Sequence, residues 1–137
     1  MERITSFTID HDVLVPGFYI SRKDGDITTY DLRTRRPNKG DYMSNADMHS
    51  VEHMFATYIR NSEIADSVIY FGPMGCQTGF YLLVRDVEPK KVFQITKEVL
   101  SQIIAHEGEV FGASAAECGH YENLDLEIAK EECRTYL

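Results

Sequence analysis

A chain of 137 residues can bury one real core without disulfides or a structural metal, so a metal site here would be free for chemistry. Fourteen basic against 22 acidic residues leave a net charge of -8, which argues against a nucleic-acid surface and against adhesion to anionic membranes. No stretch approaches 18 consecutive apolar residues, the opening Met1-Glu2-Arg3-Ile4-Thr5 lacks the regions of a secretion signal, and three cysteines cannot all pair within one chain; the expectation is a cytoplasmic protein with free thiols whose partners are small molecules or other subunits.

In chain order, residues 17–22 and 26–33 alternate as strands around the turn signal Lys23-Asp24-Gly25, which predicts a hairpin. The run Arg36-Pro37-Asn38-Lys39-Gly40-Asp41 is a loop by composition. A helix follows to about Asn61, capped by Asn45 or Asp47, with Val51, Met54, Phe55 and Tyr58 on its apolar side. Residues 68–71 and 78–85 read as strands joined by the glycine-bounded turn Gly72-Pro73-Met74-Gly75-Cys76. Glu88-Pro89 opens a second helix, with Val92, Ile95, Val99, Leu100, Ile103 and Ile104 as its core stripe and Gly108 as its stop. Residues 109–116 are expected to be short and extended and 117–120 a loop. A last helix runs from about Asn123, with Leu126, Ala129, Cys133 and Leu137 on one apolar stripe. Hairpins followed by separate helices, without regular alternation, indicate an α+β fold, an antiparallel sheet packed against helices, with residues 1–137 as one domain.

The chemistry is concentrated in His49-Ser50-Val51-Glu52-His53. At about 100° per residue, His49, Glu52 and His53 project within one third of a helix circumference, opposite the apolar side. Two imidazoles supply two ligands of a transition-metal site, and a catalytic site takes a third while leaving one position open. Cys118, in a loop beside Gly119, is the candidate for that third ligand, with His120 as a competitor. Glu52 reads as a general base next to the ion rather than as a ligand. Cys76, in its tight turn, is either a displayed acid, base or nucleophile or a structural turn residue. Among the basic residues Arg33, Arg35, Arg36 and Lys39, Arg33 at a strand end is the candidate clamp for an anionic or hydroxylated substrate.

Five blocks together resemble a known family: Ser6-Phe7-Thr8-Ile9-Asp10-His11; Asp31-Leu32-Arg33 with Arg36-Pro37-Asn38-Lys39; the helix motif with Met54-Phe55-Ala56; Gly72-Pro73-Met74-Gly75-Cys76-Gln77-Thr78-Gly79-Phe80-Tyr81; and Glu117-Cys118-Gly119. In order and spacing they are similar nearly end to end to the LuxS family of S-ribosylhomocysteine lyases. The resemblance implies a homodimeric α+β metalloenzyme, with active sites at the subunit interface, that splits S-ribosylhomocysteine into homocysteine and 4,5-dihydroxy-2,3-pentanedione, the autoinducer-2 precursor. It implies one divalent metal per subunit, ferrous iron with zinc or cobalt as substitutes, held by His49, His53 and Cys118. Glu52 and Cys76 match the proton-transfer positions, and Ser6, His11 and Arg33 match positions around the ribose. The chain departs from the pattern at Tyr70, where members often carry Asp, at Arg35, where they often carry Cys, and at Ser50, which replaces a common Thr. Two other readings compete: an inverted zinc peptidase, which would need an acidic third ligand, and a closed structural metal module with His120 or Cys76 as fourth ligand.

Overall fold

The computed structural model describes the backbone throughout and the side chains of all residues except Thr5 and Ser6. Two strands, β1 (Gly17–Asp24) and β2 (Ile27–Arg33), form the expected hairpin. Its connection is the two-residue turn Gly25-Asp26, with Gly25 at φ 62°, the left-handed first position that a twisted hairpin requires. Strands β3 (Val68–Pro73) and β4 (Gly79–Arg85) form a second hairpin. The four strands lie in the order β1-β2-β4-β3, all antiparallel.

Helices α1 (Asn45–Ile59), α2 (Pro89–Ile104) and α3 (Leu126–Tyr136) join the sheet in one core. Tyr30, Leu32, Phe80, Leu82 and Val84 point from the strands into it, and Val51, Met54, Phe55, Val92, Ile95, Val99, Ile103 and Ala129 meet them from the helices. The apolar stripes of α1 and α2 fall where their 3.6-residue period places them. The stripe of α3 ends at Cys133, which is buried, whereas Leu137 is 54% exposed and lies outside the core.

Several boundaries differ from the sequence reading, each for a local reason. The cap of α1 is Ser44 rather than Asn45 or Asp47: its side chain accepts from the Asp47 N–H at 3.0 Å while Asp47 accepts from the Ser44 N–H at 3.1 Å, a reciprocal capping box. Helix α2 ends at Ile104, before Gly108, and His106 beyond it bonds Tyr58 and the Glu109 carbonyl. Residues 109–116 form turns instead of an extended segment. Helix α3 starts after Asp125, which accepts from the N–H groups of Glu127 and Ile128, so Asn123 belongs to the preceding 3-10 turn. Among the described residues, no helix is long and apolar enough to cross a membrane.

Candidate active site

His49 and His53 stand one turn apart on α1, their rings edge to face with centroids 4.6 Å apart. Cys118 reaches them across the fold, its Sγ 3.2 Å from His49 Nε2. One donor atom from each of these three residues lies within 4.8 Å of the other two. Two imidazoles and a thiolate at this spacing suit a borderline transition ion, and three protein ligands leave a position open. Among the described residues no fourth ligand joins the group. That geometry gives no support to a closed structural module, and the thiol in third place departs from a peptidase set.

Each candidate ligand is held from behind. His53 Nδ1 donates to the Phe111 carbonyl at 2.7 Å, which leaves Nε2 for an ion. The loop can pass this close because residue 112 is glycine: it sits at φ 68°, and a Cβ there would come within 3.1 Å of His53 Nδ1. His49 Nδ1 is hydrogen-bonded to Asn123 Oδ1. Cys118 lies in a turn closed by its N–H to the Ser114 carbonyl at 3.0 Å, and the His120 N–H points at its sulfur from 3.4 Å. The turns that buttress His53 and the Asn123 side chain escaped the sequence reading. Only the Phe111-Gly112 pair carried a signal, a glycine outside any helix stop.

Glu52 is partly buried and lines an open cavity of about 290 Å³ with Asn45, Met48, His49, Pro73 and His120. His120 is exposed, with its ring stacked toward His49, beside the centre rather than in its ligand group.

Cys76 occupies the third position of a turn in which the Gln77 N–H donates to the Met74 carbonyl at 3.0 Å. Gln77 is in the left-handed region at φ 66°, and two hydrogen bonds between it and Met43 fasten the turn to the loop before α1. The thiol is thereby displayed. It is exposed, 3.0 Å from Thr78 Oγ1, and it lines a second cavity of about 490 Å³ with His11, Asn38 and Tyr42 among others. His11 is partly buried, its Nδ1 bonded to the Ile9 carbonyl. The side chain of Ser6 lies outside those described.

Arg33 is only 1% exposed. Its guanidinium grips Asp31 through two contacts of 3.1 and 2.6 Å, donates to Thr78 Oγ1 at 2.7 Å, and comes within 3.7 Å of the Cys76 sulfur. Glycines make the room: Gly17 and Gly79 flank it in the sheet register, and a Cβ on Gly79 would meet the Leu32 carbonyl at 2.7 Å. The fold thus gathers His49, His53 and Cys118 in one cluster, whose His49 lines a cavity with Glu52, and places His11 and Cys76, with Arg33 behind the thiol, at another cavity. Pro73 links them, lining the first cavity three residues before Cys76.

The departures find roles in packing. Arg35 bonds Glu132 on α3 and Asp41, and the Glu132 hydrogen bond pushes its already high pKa further up. Buried Ser50 accepts the Asp125 N–H at 2.8 Å. Tyr70 folds over Gly72, where a Cβ would collide with its ring.

Comparison with known proteins agrees with this geometry. The family model described as S-Ribosylhomocysteinase (LuxS) matches residues 4–137. The chain is 45% identical to an S-ribosylhomocysteine lyase of Clostridium beijerinckii and 46% identical to one of Finegoldia magna, in each case over 100% of this chain and 90% of the relative. A Borreliella burgdorferi protein of the same name is 44% identical over 100% of this chain and 91% of its own length. The near end-to-end match, together with Cys118 beside the two histidines of an H-x-x-E-H helix, makes this chain a member of the S-ribosylhomocysteinase (LuxS) family.

Proposed function

We propose that this chain, as one catalytic domain, cleaves S-ribosylhomocysteine to homocysteine and 4,5-dihydroxy-2,3-pentanedione. The observation that carries the reading is the convergence of His49, His53 and Cys118, with His49 lining a cavity that Glu52 also lines. These three residues hold one divalent ion, ferrous iron in the cell with zinc or cobalt as substitutes. When bound, the ion supplies Lewis-acid polarisation of the sugar oxygens.

The chain's own residues move the protons. Shifting a carbonyl from C1 to C3 takes a hydrogen off each carbon beside C=O in turn and returns it one position back, so the step is redox-neutral and consumes no water. Glu52 does this from one side of the sugar. Cys76 does it from the other, its sulfur held by the Thr78 hydroxyl and faced by Arg33. With the carbonyl at C3, loss of the C4 hydrogen breaks the C5–S bond, and homocysteine leaves as a thiolate that takes up a proton. Ser6, His11 and Arg33 serve the ribose, Arg33 by way of the Nη1 edge that already faces Cys76.

In a single chain Glu52 and Cys76 line different cavities, and a second copy completes the site. Exposed Ile4, Phe7 and Val13, in the N-terminal segment that carries His11, support that homodimer, with its active sites at the interface of a cytoplasmic enzyme.

The test is release of free thiol from S-ribosylhomocysteine by anaerobically iron- or cobalt-loaded protein, against a metal-free control that corrects for the three cysteines of the chain. Metal-dependent release is expected. In Glu52→Gln the metal content stays and turnover falls by about 10²- to 10⁴-fold; loss of the metal in this variant would make Glu52 a ligand and overturn its role as base.

A further inference from the structure

We propose that Asn123 is a positioning residue that sets the ring orientation and metal-facing nitrogen of His49, and through it couples the affinity of the centre to the loop that carries Cys118. The inference rests on the ligand assignment above. Asn123 Oδ1 takes the hydrogen bond of His49 Nδ1, while Asn123 Nδ2 donates to Asn45 Oδ1 at 2.6 Å. Asn45 and His49 are one turn apart on α1, so a single amide braces both positions on one helix face. With Nδ1 engaged, the nitrogen left for an ion is Nε2, the atom 3.2 Å from the Cys118 sulfur.

The same short segment therefore holds one ligand and delivers another. Cys118 lies five residues before Asn123, and two residues after it the Asp125 N–H is fastened to buried Ser50 Oγ at 2.8 Å. The two histidines differ in what supports them. A main-chain carbonyl, that of Phe111, holds His53. A side chain holds His49, and a neutral amide there makes the imidazole a weaker donor than a carboxylate partner would. His49 is thus the ligand that one substitution can loosen or tighten.

The experiment is titration of metal-free protein with cobalt(II), reading the thiolate-to-cobalt charge-transfer absorption and the dissociation constant by chelator competition. Loss of such a partner weakens metal binding about 10- to 100-fold, so Asn123→Ala and the near-isosteric Asn123→Leu are expected to bind cobalt that much more weakly and with an altered absorption band. Asn123→Asp keeps an acceptor for His49 but cannot donate to Asn45, and wild-type or tighter affinity is expected of it. Wild-type affinity and spectrum in folded Asn123→Ala or Asn123→Leu would overturn the proposal. So would an Asn123→Asp as weak as Asn123→Ala, because that pattern follows the bridge to Asn45 rather than the bond to His49. His49→Ala separates the two levels of inference: if it keeps wild-type binding, the ligand assignment itself fails; if it loses binding while the Asn123 variants keep theirs, only the positioning role fails.

Discussion

On α1 a spacing of one helical turn is enough to bring His49 and His53 together, whereas Arg33 and Cys76, 43 residues apart, approach each other only because two strand ends lie side by side in the sheet. The first arrangement survives as long as the helix does. The second depends on the register of β2 against β4, on two flanking glycines and on a turn fastened to Met43. Their burial differs accordingly: Arg33 is sealed within the sheet with Asp31, while His49 and Glu52 line an open cavity. The histidine half of the site is local in origin and completed by one distant thiol. The thiol half is tertiary throughout.

The sharpest way to break this division is to compare Cys118→Ala with Cys76→Ala. Both are expected to lower thiol release from S-ribosylhomocysteine by at least about 10²-fold. Only Cys118→Ala should also lose the metal, measured as bound metal per chain; metal loss in Cys76→Ala would show that the halves are not separate. Next in size is Arg33→Met, which strands the Asp31 carboxylate, 2% exposed, without its partner. Breaking a buried pair in this way costs about 3 to 5 kcal/mol, read by denaturant unfolding of the metal-free protein. Its cobalt affinity should stay that of the wild type.

Ser44→Ala tests the local half and removes one side of the capping box, for about 1 kcal/mol in the same unfolding measurement. The smallest effect is on alkaline stability. Burial pushes the Cys133 thiol from its ordinary value of 9.0 up to about 12, so the folded state keeps a proton that the unfolded chain gives up. Its contribution is complete below pH 9 and is lost as pH rises toward 12. Buried Tyr30 and partly buried Tyr136, raised by the same desolvation, add to the slope. Cys133→Ala should therefore flatten the fall of stability across that window.

What was legible in the sequence was whatever depends on neighbours in the chain. The 3.6-residue period of α1 and α2 fixed which faces are buried, the H-x-x-E-H spacing set two imidazoles and a carboxylate on the other face, and glycine placement marked the turn that displays Cys76. Helix ends were less legible. The capping box at Ser44 follows a local rule, but Asn45 and Asp47 satisfied the same rule on paper, and only the backbone conformation at Ser44 decided between them. The start of α3 was likewise decided by Asp125, whose N–H is held by Ser50 on another helix.

The linear chain alone pointed to a fold class, a metal-binding helix and, through its five motif blocks, a family. Tertiary structure decided that Arg33 is enclosed with Asp31 behind the thiol, that Phe111 and Asn123 stand behind the two histidines, and that Glu52 and Cys76 open onto different cavities of one chain. The physical reason is range. Helical periodicity and capping act over three or four residues, while the contact from His49 to Cys118 spans 69 residues and that from His49 to Asn123 spans 74, distances over which no propensity acts and only packing of the whole core sets the geometry.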